Sequence, residues 1–241
     1  MEKLVYLLFQ HADVSGDELR DTLIQKVAPT LREAGASQIA VNVHDSDVVP
    51  DSAPVLARYE DLPAQRWLSD PPVRAMVSFW MNNSDDRARC EQSLAPHAHR
   101  LCGYIVAESI PLENTAHPVP LGHRTPGFNQ VACITKKRSI SFGEFYDLWL
   151  DDQKRVAMNL QCTFGYKRNA IMRPLTASAR GFNGIVEESF PMQALTDPLF
   201  YYETDSQEEW QRRVNRMIES CQRFLEMEEI DTTPMSEYLL G

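Results

Sequence analysis

The run Leu4–Phe9, with the sequence LVYLLF, is the stretch that decides the fold. A strand with one face in water alternates polar and apolar residues. This run does not alternate, so it predicts a strand that is covered on both faces. The string SGDE at residues 15–18 follows. It predicts the start of a helix, because the Ser hydroxyl accepts a hydrogen bond from the backbone three residues on and the Glu reaches back.

The same order returns later in the chain. A second apolar run, QVACIT at residues 130–135, is followed by the string SFGE at residues 141–144. The two capping serines, Ser15 and Ser141, lie 126 residues apart. One such string is weak evidence, whereas two at matched distances from matched strands indicate an internal repeat.

Each repeat continues with a helix, two strands, a second helix and a closing strand. The predicted helices are 15–33, 84–95, 141–160 and 206–225, and the further predicted strands are 37–44, 73–81, 103–110, 164–172, 182–190 and 235–240. This is the ferredoxin-like order β-α-β-β-α-β, twice. Residues 111–127 contain four prolines and predict an extended connector. The predicted domains are a first repeat at 1–110, this linker, and a second repeat at 128–241.

The apolar strands need more cover than one layer of helices provides. A single ferredoxin-like unit covers only one face of its sheet. The strand 73–81 is mostly apolar on both faces, as are the runs 4–9 and 131–134. We therefore expect an α+β fold in which the antiparallel sheets of the two repeats pack face to face. Such a pair of sheets commonly leaves a small-molecule pocket.

Composition excludes several classes of function. The net charge of −10 argues against a nucleic-acid partner, which needs a concentrated cationic face. The five cysteines form no C-x-x-C pair, and no secretory start is visible. No apolar stretch approaches the ~18 residues of a membrane span. We expect a cytoplasmic protein with no membrane contact.

The histidines do not form a recognisable metal site. His97 and His99 diverge at the end of a helix, and no third ligand is suggested. His11 and His44 lie at predicted strand ends, where a surface-loop role is favoured over a functional one.

A pair of carboxylates offers one candidate for acid–base chemistry. Glu187 and Glu188 end an apolar strand, so one of the two points inward. We assign Glu187 as a candidate catalytic base. The alternative is a strand-end charge that faces water.

Aromatic and amide side chains complete the predicted site. The predicted pocket wall is Trp80, Tyr104, Trp149 and Tyr166, and the polar groups that orient a ligand are Gln153 and Asn169. Core packing is the alternative for the aromatic rings.

The order of elements across nearly the whole chain, together with local motifs, resembles the EthD family of the dimeric α/β-barrel superfamily. The segments FYDLW at 145–149 and YKRN at 166–169 are similar to the F-x-x-x-W helix and Y-x-x-N strand of that family. The helix of the family continues to a His-Ala-Pro string. Its His position is occupied here by Val27 in the first repeat and Gln153 in the second, and neither side chain transfers a proton.

The resemblance implies an intramolecular dimeric α/β barrel and a hydrophobic organic ligand. It also implies an activity without a bound cofactor, of the oxidoreductase (monooxygenase) or the isomerase type, with a role in catabolism. The chain would form a pseudo-dimer by itself, with a further homodimer possible through edge strands. The alternatives are a non-catalytic accessory or assembly protein with a side-chain-filled barrel, and a haem protein, which would be coloured.

Overall fold

The computed structural model describes residues 1–10, 13–49, 69 and 71–241. Their strands are β1 Glu2–Phe9, β2 Ser37–Val43, β3 Val73–Met81, β4 Arg100–Leu112, β5 Phe128–Ile134, β6 Gly165–Pro174, β7 Gly184–Phe190 and β8 Asp231–Leu239. Their α-helices are α1 Gly16–Thr22, α2 Ala28–Glu33, α3 Ala88–Leu94, α4 Phe142–Tyr146, α5 Lys154–Leu160, α6 Pro198–Tyr201 and α7 Gln207–Gln222. Short 3₁₀ turns cover Ser46–Val48, Ser84–Asp86, Ala95–His97, Met192–Leu195 and Met227–Glu229. None of these helices is long and apolar enough to cross a membrane.

The eight strands form one closed antiparallel barrel in the order β1-β3-β2-β8-β5-β7-β6-β4. The barrel is closed by two long strands, each of which pairs with a strand of its own half on one edge and with a strand of the other half on the opposite edge. Strand β4 pairs with β1 through Arg100–Val106 and with β6 through Tyr104–Leu112. Strand β8 pairs with β5 through Asp231–Met235 and with β2 through Ser236–Leu239. Strands from residues 1–112 are thereby hydrogen-bonded to strands from residues 128–239 at both seams.

The change of pairing along β8, from β5 to β2, explains why this strand begins earlier than the predicted strand 235–240. Pro234 has no backbone N–H and is normally confined to strand edges. Here it lies just before Ser236, where pairing with β2 begins, so the side of Pro234 that faces β2 carries no ladder hydrogen bond. The proline therefore interrupts the apolar pattern of the sequence without interrupting the strand.

The expectation that β1 is covered on both faces is confirmed. All residues of Leu4–Phe9 are fully buried. Leu4, Tyr6 and Leu8 pack with the helices of the first half, while the alternate residues Val5, Leu7 and Phe9 belong to an apolar cluster inside the barrel. The cover on the second face comes from the strands opposite.

The serine caps of both predicted capping boxes are confirmed, whereas neither Glu side chain accepts from the backbone N–H of its capping serine. The hydroxyls of Ser15 and Ser141 accept hydrogen bonds from the backbone N–H groups of Glu18 and Glu144, each at 3.1 Å. Each helix then widens into a π-helical segment before it resumes as an α-helix. These segments are Leu23–Val27 and Asp147–Gln153, and their last residues again lie 126 positions apart.

One end of the barrel interior is filled by a network of charged and amide side chains. Its centre is Glu187, whose carboxylate lies 3.8 Å from the Lys3 ammonium and 3.9 Å from the Lys167 ammonium. Lys3 also forms an ion pair with Glu108, and Lys167 forms one with Glu237 at 2.7 Å. These residues come from five different strands, so the network links the two seams of the barrel.

Outside the barrel, Trp149 packs directly on the backbone of β7. A methyl group placed on Gly184 would lie 2.4 Å from the indole ring of Trp149. The glycine at this position therefore makes room for the large ring between sheet and helix. Trp149 itself is only 1% exposed.

We predict that Lys3→Met lowers the free energy of unfolding by about 3 kcal/mol, because it leaves the buried carboxylate of Glu187 and the half-buried carboxylate of Glu108 with fewer positive partners. Urea denaturation followed by circular dichroism measures the change. Arg138→Met is the matched control, since its ion pair with Glu229 is solvent-exposed, and it should cost less than about 0.5 kcal/mol. Equal midpoints for Lys3→Met and the wild type would contradict a stabilising role for the network.

We predict that Gly184→Ala destabilises the fold by about 1–3 kcal/mol and shifts tryptophan fluorescence, because the added methyl group displaces the Trp149 ring. Gly181→Ala is the control, as a methyl group there meets no atom within 4 Å. Thermal melting and emission spectra compare the two variants. An unchanged spectrum and melting temperature in Gly184→Ala would show that the ring is not confined as described.

Candidate functional site

The seven predicted site residues lie in two separate parts of the molecule, the barrel interior and the layer between the barrel and the helices of the second half. Glu187, Asn169 and Tyr104 face the barrel interior, and Trp80 lies at its charged end. Trp149, Gln153 and Tyr166 lie between the barrel and the helices of the second half. We call this second region the outer layer, defined by the buried side chains packed between β5–β7 and the helices α4, α5 and α7.

Glu187 and Asn169 are in direct contact inside the barrel. The Asn169 amide donates to the Glu187 carboxylate at 2.9 Å, and Asn129 approaches it at 3.5 Å. Burial raises the pKa of Glu187, but Lys167 and Lys3, with the two amide hydrogen bonds, outweigh that effect and bring the pKa below its usual value. A carboxylate stabilised in its charged form is a weak proton acceptor, and its catalytic role stays a prediction.

Tyr104 and Trp80 are distant from the other predicted aromatic residues. Tyr104 is part of the apolar cluster in the barrel, and its hydroxyl donates to the Arg180 carbonyl and accepts from the Arg180 N–H, both at 3.0 Å. Trp80 is half-buried and is the cross-strand partner of Lys3, so the two side chains share one face of the sheet.

Gln153 ends the second π-helical segment and is buried at 6% exposure. Its amide group donates to the sulfur of Met217 at 3.1 Å and accepts from the hydroxyl of Ser220, both on α7. Trp149 and Tyr166 lie in the same layer, each 2% exposed or less. The structure thus brings these three predicted residues into one layer, although not into the barrel.

Glu188 is a second buried carboxylate. In the pair Glu187–Glu188, it is the residue that points away from the barrel interior. It points from β7 into the outer layer, at 9% exposure, and its cross-strand neighbours are Tyr166 and Gln130. No hydrogen bond or ion pair reaches its carboxylate from the residues that the structure describes. Burial alone raises its pKa from the usual 4.5 to about 7. The alternative of strand-end charges facing water is therefore not realised at either position.

Tyr201 contributes a hydroxyl to the same region. It donates to the side-chain oxygen of Gln130 at 3.4 Å and accepts from the amide of Gln161 at 3.0 Å. The negative charge of Glu188 adds to the burial that raises the pKa of this phenol well above its usual range. The carboxylate thus stands beside polar groups that make no ion pair with it.

Arg168 is a buried cation at the edge of this layer. It is 6% exposed, and it donates to the carbonyl of Leu150 at 2.7 Å and to the hydroxyl of Ser109 at 3.1 Å. Its guanidinium also lies 5.7 Å from the centre of the Tyr166 ring. Sequence reasoning missed both Glu188 and Arg168, since alternation shows which face a residue occupies but not whether a partner neutralises its charge.

A cleft of about 380 Å³ opens beside Arg168. It lies where β4 meets β6, next to helix α5, and we call it the seam cleft. Its walls include the apolar side chains of Ile110, Pro111 and Met158 and the cationic side chains of Lys154 and Arg155. Arg168 lines the cleft and also lies over the Tyr166 ring, so it connects the cleft with the outer layer.

His44, at a predicted strand end, is engaged away from both regions. His44 is buried, with its Nδ1 2.9 Å from the carbonyl of Pro234, and burial lowers its pKa to about 4. His11 lies outside the described residues. Within the described part of the chain, no group of three or more His, Cys, Asp or Glu side chains is arranged to bind a metal ion.

Comparison with known proteins shows the fold. No protein-family model and no curated protein matches the sequence. Among solved structures, an anthrone oxidase-like protein superimposes with a TM-score of 0.54 at 10% identity, over 100% of this chain and 92% of that one. A candidate monooxygenase from Lactobacillus acidophilus gives 0.47 at 8% identity, over 100% and 96%. The chlorite dismutase of Candidatus Nitrospira defluvii gives 0.45 at 10% identity, over 97% and 90%. Of these three, only the first has a TM-score above 0.5, and at 10% identity it shows the fold alone: this chain shares the barrel architecture of that protein.

Proposed function

We propose that this protein is an oxidoreductase that acts on a hydrophobic, ring-containing organic molecule without a bound cofactor. The substrate enters through the seam cleft and reaches the outer layer of the second half. Trp149 and Tyr166 provide the apolar surface there, and Gln153 provides a hydrogen-bonding group. Glu188 is the proton acceptor.

The single observation that carries this proposal is the environment of Glu188. A general base works best when its pKa lies near the operating pH. Glu188 meets that condition because it is buried among the rings of Tyr166 and Tyr201, with no cation paired to it within the described residues. Glu187, in contrast, has two lysines beside it.

The reaction begins when Glu188 takes a proton from a C–H group made acidic by the adjoining rings. The resulting carbanion passes its electrons to dioxygen, which is the oxidant. A CH₂ group is thereby converted to a carbonyl: one oxygen atom enters the product, and the other leaves as water with the two hydrogens. The name of the anthrone oxidase-like neighbour fits this substrate class.

The internal repeat is part of the proposal. The matched capping serines, the matched π-helical segments and the pairing of β4 with β6 and of β8 with β2 support a tandem duplication of a ferredoxin-like unit. We place the units at 1–110 and 128–241, with the linker between them, and assign the chain to an EthD-like group with a catabolic role.

A non-catalytic accessory protein is the second candidate. One observation favours it: the barrel interior contains an apolar cluster and a charged network of its own side chains. The two candidates differ in whether the outer layer turns over a substrate, which the following experiment decides.

We predict that Glu188→Gln lowers the turnover number by about a hundredfold or more, because an amide cannot accept the proton. Oxygen uptake with anthrone and with a panel of phenolic and ether compounds measures the activity. Glu208→Gln, at an exposed position of α7, is the control and should match the wild type.

Glu187→Gln separates the two carboxylates, provided that its melting curve shows a folded protein. Undiminished oxygen uptake in Glu188→Gln with loss in Glu187→Gln would restore the sequence-based assignment. No uptake by the wild type with any compound of the panel would favour the accessory protein.

We predict that Glu188 makes the protein less stable as the pH rises from about 4.5 to 7. The pKa is raised in the folded state, so the unfolded chain loses its proton first, and ionisation favours unfolding across this window. The stability difference between Glu188→Gln and the wild type should grow by about 3 kcal/mol between pH 4 and pH 8. Urea denaturation at each pH measures it. A constant difference would contradict the raised pKa.

A further inference from the structure

Arg168 makes three hydrogen bonds, all to groups without a net charge. Its acceptors are the carbonyls of Trp149 and Leu150 and the hydroxyl of Ser109. One guanidinium nitrogen, Nη2, has no acceptor among the described residues. A cation buried to 6% exposure is costly unless it is paired. The positive charge of Arg168 is therefore uncompensated by any contact in the described part of the chain.

The surroundings of Arg168 add positive charge. Lys154 and Arg155 line the same seam cleft. The negative charge of Asp151 acts on Arg168 from a distance, without forming an ion pair. The neighbouring Asp152 is already paired with Arg223 at 3.1 Å. In a protein with a net charge of −10, a cleft with three cationic side chains is a local exception.

The remaining walls of the seam cleft combine the apolar side chains of Ile110, Pro111 and Met158 with the polar side chains of Ser109 and Asn159. Ile110 is 49% exposed and Met158 is 38% exposed, which leaves both side chains available to a ligand. A cleft of about 380 Å³ is large enough for a drug-sized or smaller molecule. The site thus combines apolar, polar and cationic side chains.

We infer that the seam cleft binds the carboxylate of a small aromatic acid, with Arg168 as the anchoring residue. The free Nη2 of Arg168 donates to the carboxylate in a charge-assisted hydrogen bond, while Nε and Nη1 keep their protein acceptors and hold the guanidinium in place. Lys154 and Arg155 add attraction at the rim, and Ile110 and Met158 contact the ring. The conclusion that this acid is the substrate rests on the proposed function. The binding of the acid to the seam cleft does not depend on it.

Isothermal titration calorimetry with 2-naphthoate tests the inference, with 2-naphthalenemethanol as the neutral analogue of the same shape. The wild type should bind the acid about tenfold or more tightly than the alcohol, and Arg168→Met should remove that preference. Arg173→Met is the matched control, since Arg173 is an exposed arginine on the same strand, and it should bind the acid as the wild type does.

A second variant tests the cleft without changing Arg168, because Arg168 also contacts the carbonyls of the π-helical segment and its replacement affects the fold. Met158→Glu places a negative charge on the exposed wall and should weaken binding of the acid several-fold without affecting the alcohol. Equal affinities of the wild type for acid and alcohol would overturn the inference. Tighter binding of 2-naphthyl phosphate than of the acid would overturn the carboxylate assignment. If Arg168→Met loses binding while Glu188→Gln keeps full activity, the anion site stands and the proposed function fails.

Discussion

The ion pairs of Glu187 with Lys3 and Lys167 are the interaction on which the rest of the structure depends. A closed barrel removes these side chains from water, and an unpaired charge there would cost several kcal/mol. Lys3 belongs to the first strand of the chain and Glu187 to the seventh, so neither half satisfies the network alone. The pairing also determines what chemistry is available, because it keeps the barrel carboxylate charged and leaves Glu188, one residue later, as the titratable group.

Much of the fold could be predicted from elementary patterns. The unbroken apolar run of β1 required cover on both faces, and the capping strings located the starts of two helices, because both signals are local. The extent of β8 was not predictable in this way. Pro234 is compatible with a strand only because the partner changes near it, and a change of partner is a property of the assembled barrel.

The site was less predictable than the fold. Alternation along β7 predicted that one of Glu187 and Glu188 points inward, and Glu187 does. It could not show that the other is buried as well, because that depends on the helices packed outside. The predicted wall residues were chosen for ring chemistry, and Tyr104 and Trp149 then fell on opposite faces of the sheet. The sequence around Arg168 does not indicate that its charge lacks a carboxylate partner among the described residues. That property depends on the three-dimensional arrangement.

The pairing of β4 with β6 and of β8 with β2, between the two halves, affects how the chain folds. Each of these strands supplies an edge to the opposite half, so a half taken by itself would expose two rows of unpaired backbone groups. In the complete barrel, each of these rows is paired with a strand of the other half. Final closure must bring together residues more than a hundred positions apart, and such distant pairing makes folding slow and strongly cooperative.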